Sequence, residues 1–429
     1  MASAELQSHT SPAPRSSALL KVLSDPLVLF PVAALLVSWP LLVRYYWPAG
    51  GGLDVTGHQI GRDFINVWAA PQLAFSGRLS TLFDLDGYAD AIGALFGASL
   101  PFHNWGYPPF TLLMFWPFAQ LPYFWALALW TATFFAAFAG VALSQVEPGR
   151  RVLALVALAL APACLVNGIG GQNGFLTAAL LLGGLLCLDR RPVLAGVLFG
   201  FLTLKPHLGL VLPFVLLALK AWRTIAAATL TALALVAMSV AAFGLEPWRE
   251  YLGATSAYQM GLLEKWRGFY TLMMPSVFAG VRGLGLSSAI AWTAQAAVAL
   301  PVLAATVWAV RRTGDPRRRA LVVVAAVPLL TPYAFNYDLV ALAAVLVWKL
   351  CERRPGEAPS ALHLFAWLVP TLMMSVPMPG AAPVALVAMF AMAVREAAAE
   401  GNGITSWPSL GLTRGSARPS RVAEGASSP

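Results

Sequence analysis

The sequence predicts an all-α polytopic membrane protein with about twelve spans, in a range of about ten to thirteen. Three observations predict it. Long apolar stretches recur from about residue 27 to residue 395, separated by short charged loops. Hydrophobic residues are 59% of the 429 and charged residues 11%, where a soluble domain carries about 25% charged. Basic clusters fall at alternate loops, as the positive-inside rule requires of a chain that weaves through a bilayer. A large soluble domain has no room, and the formal charge of +9 belongs to helix flanks rather than to a nucleic-acid surface. Cys164, Cys187 and Cys351 are scattered in or beside apolar segments, without metal or disulfide spacing.

Taken in order, residues 1–26 read as a polar cytoplasmic N-terminus, 27–398 as the membrane domain and 399–429 as a disordered cytoplasmic tail. The first span covers roughly 27–47, too long for a signal-peptide core. An outer segment, 48–107, follows, then a hydrophobic shoulder at 108–120 and a second span ending near 145. Arg150 and Arg151 mark the next inner loop. Spans three and four meet at Asn167–Gly174, and Arg190 and Arg191 follow. The next pair meets at Lys205-Pro206-His207 and returns to Lys220 and Arg223. Span seven ends near Phe243, and a second outer segment covers 244–287. Span eight closes at Arg311 and Arg312, with Arg317, Arg318 and Arg319 beyond. The remaining pairs turn at Pro332–Asp338 and Pro377–Gly380, flanked by Lys349, Arg353, Arg354 and Arg395. Several spans have only about 13 to 17 strongly apolar residues, short of the usual ~20, so they must tilt, borrow polar flanks or be broken helices lining a protein cavity.

On this topology the polar interruptions that lack basic clusters share the outer face, as if one site were assembled from distant parts of the chain. Asp63 opens the stretch Asp63–Ala70, which reads as a short amphipathic helix in the interface plane. A carboxylate there can be a proton acceptor for an attacking hydroxyl, an N-cap or a metal ligand. Asp84 and Asp86 lean to structural roles. Tyr107 precedes two prolines, which suit a helix start, and Tyr107 or His103 can also line a site. Gln172 and Asn173 sit in a glycine-dense turn, where amides can hydrogen-bond sugar hydroxyls or phosphate oxygens. Its glycine spacing, with no following Lys-Ser/Thr, is not that of a P-loop. Lys205 has apolar neighbours on both sides, so its ammonium must snorkel outward or meet an anion. With His207 it can hold a lipid phosphate or pyrophosphate. Tyr333, Asn336, Tyr337 and Asp338 form another outer turn, where Tyr333 and Asn336 suit a sugar and Asp338 can partner Lys205. In the second outer segment Trp248, Arg249, Glu250, Glu264, Lys265, Trp266 and Arg267 can roof a cavity or contact headgroups.

These pieces, in order, resemble glycosyltransferase family 87, the integral-membrane transferases that use polyprenyl-phosphate sugars. The matching residues are Arg62-Asp63-Phe64, Phe75-Ser76-Gly77-Arg78-Leu79 and Leu82-Phe83-Asp84; Tyr107-Pro108-Pro109-Phe110 with Trp116-Pro117-Phe118 and Leu121-Pro122; Gly171-Gln172-Asn173-Gly174; Lys205-Pro206-His207; and Pro332-Tyr333 with Asn336-Tyr337-Asp338. The resemblance implies a GT-C type helical bundle with an outer-face cavity in a bacterial cytoplasmic membrane, both termini inside. It implies a polyprenyl-phosphate-linked sugar, commonly mannose, as donor and a lipid or glycan as acceptor. It makes Asp63 the base and Lys205, with His207, the phosphate contact. It implies no cofactor, and the sequence holds no outer cluster of three carboxylate or histidine ligands at usable spacing. The oligomeric state stays open. A transporter or flippase for lipid-linked sugars is the competing class, for which internal repeats would be expected.

Overall fold

The computed structural model describes residues 24–97, 100–101, 103–265, 269–353, 357, 360–374 and 379–401. The polar N-terminal stretch up to residue 23 and the tail from 402 onward, expected as cytoplasmic extensions, lie outside the described residues, as do Pro377 and Met378 of the Pro377–Gly380 turn.

The described chain is almost entirely helical, and the protein is an all-α membrane protein. Among the described residues, five helices are long and apolar enough to cross a bilayer: Pro26–Tyr46, Tyr123–Leu143, Trp222–Phe243, Ser288–Val310 and Ala381–Ala399. At 1.5 Å per residue, about 20 residues match a hydrocarbon core of about 30 Å. A sixth candidate is broken: Pro148–Ala159 and Pro162–Ile169 meet at a 57° bend. The cause is local. Ala161 precedes a proline and is extended (φ −63°, ψ 132°), a conformation that ends the first helix before Pro162 starts the next. Shorter apolar helices cover Gly174–Cys187, Pro192–Leu204, Pro206–Ala218 and Ala361–Leu372. Lys205, again before a proline, is non-helical at φ −130°, ψ 77°.

Burial sorts these helices into a centre and a periphery. From Arg318 to Leu329 every residue of the helix Pro316–Leu330 is buried, as is every residue from Val340 to Trp348. Gly174–Cys187 is buried over most of its circumference. A helix apolar all round belongs in the middle of a bundle. The long helices lie outside them: only 11% of the apolar window in Trp222–Phe243 is buried, and Leu230 and Leu233 point outward. Such faces are stable against lipid tails but not against water.

Charged residues expected at the inner loops meet one another. Arg150 pairs with both Asp25 carboxylate oxygens at 2.8 and 3.0 Å, and Arg319 with both oxygens of Asp189 at 3.0 Å. Lys349 pairs with Glu396, and Arg317 with Glu352 at 3.3 Å. These pairs tie together helix ends far apart in sequence.

The first outer segment holds a small hairpin, Pro48–Gly50 with Leu53–Asp54, then helices Phe64–Phe75 and Leu85–Phe96. The helix after Asp63 forms as expected, and it is covered by protein on most sides. Phe64, Ile65, Asn66, Val67, Ala69, Ala70, Leu73 and Ala74 are all buried, and the helix packs on Thr111–Ala119. The second outer segment folds into Glu246–Glu250, a π-helical turn at Tyr251–Thr255, Ser256–Lys265, Phe269–Leu272 and Val277–Gly283.

Candidate functional site

A cavity of about 420 Å³ opens among the polar turns. Six of the residues singled out from sequence line it: Asp63, Tyr107, Lys205, His207, Tyr333 and Tyr337. They come from four separate stretches of chain.

Asp63 is positioned by a braced loop. Arg62 immediately before it has φ +36°, a left-handed conformation that costs a non-glycine residue about 1–3 kcal/mol unless the surroundings enforce it. The surroundings do so. Arg62 Nε donates to Asp54 Oδ2 at 2.9 Å, its guanidinium donates to Tyr45 O and to Thr56 Oγ1, and it lies 4.2 Å from the Tyr46 ring centre. Tyr123 OH donates to Ile60 O at 2.9 Å. Asp63 occupies the N-cap position of Phe64–Phe75, yet its side chain makes no capping bond. Instead Oδ2 accepts from Gln172 Nε2. Among the described residues Oδ1 has no partner and is left to the cavity.

The glycine-dense turn is the wedge that brings Gln172 there. Gly171 has φ +59°, and a Cβ on it would sit 2.5 Å from Gly61 O and 2.6 Å from Phe64 Cβ. On the other side a Cβ at Gly174 would overlap Tyr337 O. The turn therefore touches the Asp63 loop and the Tyr337 turn at once. Gln172 and Asn173 stand one layer behind the cavity wall: Asn173 Nδ2 donates to Tyr107 OH at 3.1 Å. Burial, then the charges of Asp63 and Asp338, hold the Tyr107 phenol well above its ordinary pKa, so it keeps its proton.

Across the cavity Lys205 does not snorkel. Its Nζ donates to Asp338 Oδ1 at 2.7 Å and lies 4.8 Å from the Tyr337 ring centre, with side chains only 8% and 2% exposed. Asp338 Oδ2 accepts from Phe335 N at 3.0 Å, so the carboxylate is held from both sides. An ammonium has three donors, and Asp338 takes one. His207 packs edge-on against Tyr333, and its Nε2 is buried without a partner among the described residues.

Asn336 is not brought to the cavity. Its amide donates to Pro370 O at 2.8 Å and accepts from Tyr337 N, which makes it a brace within its turn. The charged and aromatic residues noted in the second outer segment also face elsewhere: Arg249 pairs with Glu246 at the surface, Trp248 donates to Ser239 Oγ and Glu264 accepts from Trp292. Trp266 and Arg267 lie outside the described residues. The segment does face the cavity, through Tyr251, Thr255, Ser256, Gln259 and Met260. Gln259 Oε1 accepts from Tyr333 OH, and Tyr270 OH meets the same hydroxyl at 3.0 Å. Sequence reasoning passed over Gln259 and Asn66. Asn66 carried one signal, its place three residues after Asp63 on the same helix face.

A helical bundle with apolar outer helices and a polar cavity lined by a carboxylate and a lysine is the build of an integral-membrane protein. The sequence profile of glycosyltransferase family 87 matches residues 105–332, more than half of the chain. The chain belongs to glycosyltransferase family 87 and is a membrane glycosyltransferase. No curated protein and no solved structure gives a significant match.

Proposed function

We propose that the protein transfers a sugar, mannose or another hexose, from a polyprenyl-phosphate donor to a lipid or cell-envelope glycan acceptor. In this reading the bundle is of GT-C type with about twelve spans, several of them built from paired half-length helices. Its cavity faces outward from a bacterial cytoplasmic membrane and both termini lie inside, the side on which the positive-inside rule puts the basic loops. One observation carries the proposal. A carboxylate with one oxygen pinned and one free shares a cavity with a buried lysine that keeps spare donors.

The chemistry is a single displacement. The acceptor hydroxyl oxygen attacks the anomeric carbon from the face opposite the phosphate. The new C–O bond forms as the bond to the phosphate oxygen breaks. The hydroxyl proton passes to Asp63 Oδ1, and the electron pair of the broken bond leaves on the polyprenyl phosphate. Lys205 and His207 meet the negative charge that grows there. Asp338 keeps Lys205 in place rather than competing for all of its protons. The anomeric configuration inverts.

The test uses purified protein in vesicles with polyprenyl-phosphate hexoses and a membrane lipid extract. Wild type is expected to release polyprenyl phosphate, and Asp63→Asn to slow release by about 10²-fold or more, the range for loss of a general base. Equal release by both overturns the assignment of Asp63. Movement of intact donor across the vesicle bilayer without release supports the flippase reading instead.

A further inference from the structure

One turn beyond Asp63 on the same helix stands Asn66, also on the cavity wall and itself 6% exposed. Residues three apart on a helix present side chains to the same side, about 5–6 Å apart at Cβ. Asn66 Oδ1 accepts from Tyr88 OH at 2.7 Å. Tyr88 is fully buried, on the helix Leu85–Phe96, and this is its hydroxyl's one hydrogen bond among the described residues. A buried phenol with a single partner must direct its proton to it, because a buried O–H left unmatched loses its hydration without return. Burial also pushes the Tyr88 phenol well above its ordinary pKa, so the proton stays on.

This settles which way the amide faces. With Oδ1 held by Tyr88, the NH₂ group turns the other way. It has no partner among the described residues, and it belongs to a residue that lines the cavity. A buried asparagine with its donors unused beside a carboxylate is arranged for a ligand oxygen.

We infer that Asn66 is an acceptor-binding residue, locked in its donor orientation by Tyr88, and that the acceptor is a sugar or polyol with two neighbouring hydroxyls. One hydroxyl approaches Asp63 Oδ1 and the next accepts from Asn66 Nδ2. Asp63 alone would bind any alcohol. The pair reads two oxygens and so sets which hydroxyl attacks. Tyr88 is a positioning residue that acts only through Asn66.

This inference rests on the transfer reaction proposed above, and its test separates the two. Octyl α-mannoside serves as the acceptor probe and polyprenyl phosphate as the donor probe. Equilibrium binding of each is measured to detergent-purified wild type, Asn66→Ala and Tyr88→Phe. Asn66→Ala is expected to weaken octyl mannoside binding tenfold or more, with polyprenyl phosphate binding unchanged. Tyr88→Phe, which lets the amide rotate, is expected to weaken the same binding severalfold and leave the other alone. Equal octyl mannoside binding by wild type and Asn66→Ala, including none by either, overturns the inference. So does parallel weakening of both probes, the mark of a merely structural residue. If wild type binds octyl mannoside through Asn66 but ignores polyprenyl phosphate, the donor assignment fails and the acceptor site stands. Thermal unfolding of each variant identifies any that is misfolded, and Tyr88→Phe, which removes a single oxygen, keeps the inference open to refutation if Asn66→Ala does not fold.

Discussion

Lys205 and Asp338 stand 133 positions apart in the chain and meet at 2.7 Å at the cavity wall, both nearly sealed from solvent. Removing one partner of such a pair leaves a buried charge uncompensated, at a cost of about 3–5 kcal/mol, whereas replacing both by apolar groups is often neutral. Lys205→Met and Asp338→Asn are each expected to lower the unfolding temperature. The double variant Lys205→Met/Asp338→Leu is expected to recover most of that loss and none of the transferase activity. Thermal unfolding and polyprenyl phosphate release, measured on the same preparations, check this. Recovered activity in the double variant would show that Lys205 has only a structural role.

Gln172 holds one oxygen of Asp63 and no other part of the proposed chemistry. Gln172→Ala is expected to cut turnover about tenfold through loss of orientation, with the fold intact. Steady-state kinetics beside an unfolding curve check it. Unchanged turnover would mean that the helix start alone fixes the carboxylate.

Gly171→Ala forces a side chain into a left-handed backbone already in contact with Gly61 O. The expected loss is about 1–3 kcal/mol or more, together with most of the activity. Gly149→Ala is the control: a Cβ there meets nothing within 4 Å, so the change is expected to stay within about 0.5 kcal/mol. Unfolding of the two variants side by side gives the answer.

The loop that carries Asp63 is expected to respond to acid in two stages. Burial lowers the His58 imidazole below the usual 6.5, with Arg62 and His103 adding to that and Asp54 and Asp63 opposing it. A histidine with a depressed folded pKa binds fewer protons folded than unfolded. Its contribution is complete above about 6.5 and is lost as pH falls from there through the folded value. Asp54 behaves differently. Burial pushes its carboxyl up, but the Thr56 hydroxyl, Arg62 and the N–H groups of Thr56 and His58 outweigh that and leave it below the usual 3.8. The Asp54–Arg62 brace is therefore lost only as pH falls below that range. Hydrogen-exchange protection of residues 48–63, corrected for intrinsic rates, is expected to drop as pH falls below about 6.5. His58→Asn is expected to abolish that first drop while keeping the acid one.

Much of this site was legible in the sequence, for a physical reason. A charge or amide in an apolar context is conspicuous because it is costly, and Asp63, Lys205 and His207 all stood out on that ground. Their gathering on one cavity followed from counting loops. What lay hidden was of another kind. Gln259 sits at an ordinary helical position among small and polar residues, Asn66 lies in an apolar run overshadowed by Asp63, and only the fold says which way they point. Asn336 looked like its neighbours Tyr333 and Asp338, but an amide can brace a turn as readily as bind a sugar. Hydropathy did not show how far protein covers the helix after Asp63, because an apolar face prefers protein and lipid alike. It was equally blind to straightness: residues 152–166, on either side of the bend, are apolar throughout, and only Pro162 marks the 57° break.

The Gly171–Gly174 turn touches the Asp63 loop on one side and the Tyr337 turn on the other, with no space for a methyl group at either contact. The gap between the Asp63 side of the site and the lysine side is thus measured out by main chain. Substitutions that only reshape the pocket lining will alter which sugars fit, yet they inherit the same reach. A variant meant to accommodate a bulkier transferred group would have to lengthen this turn.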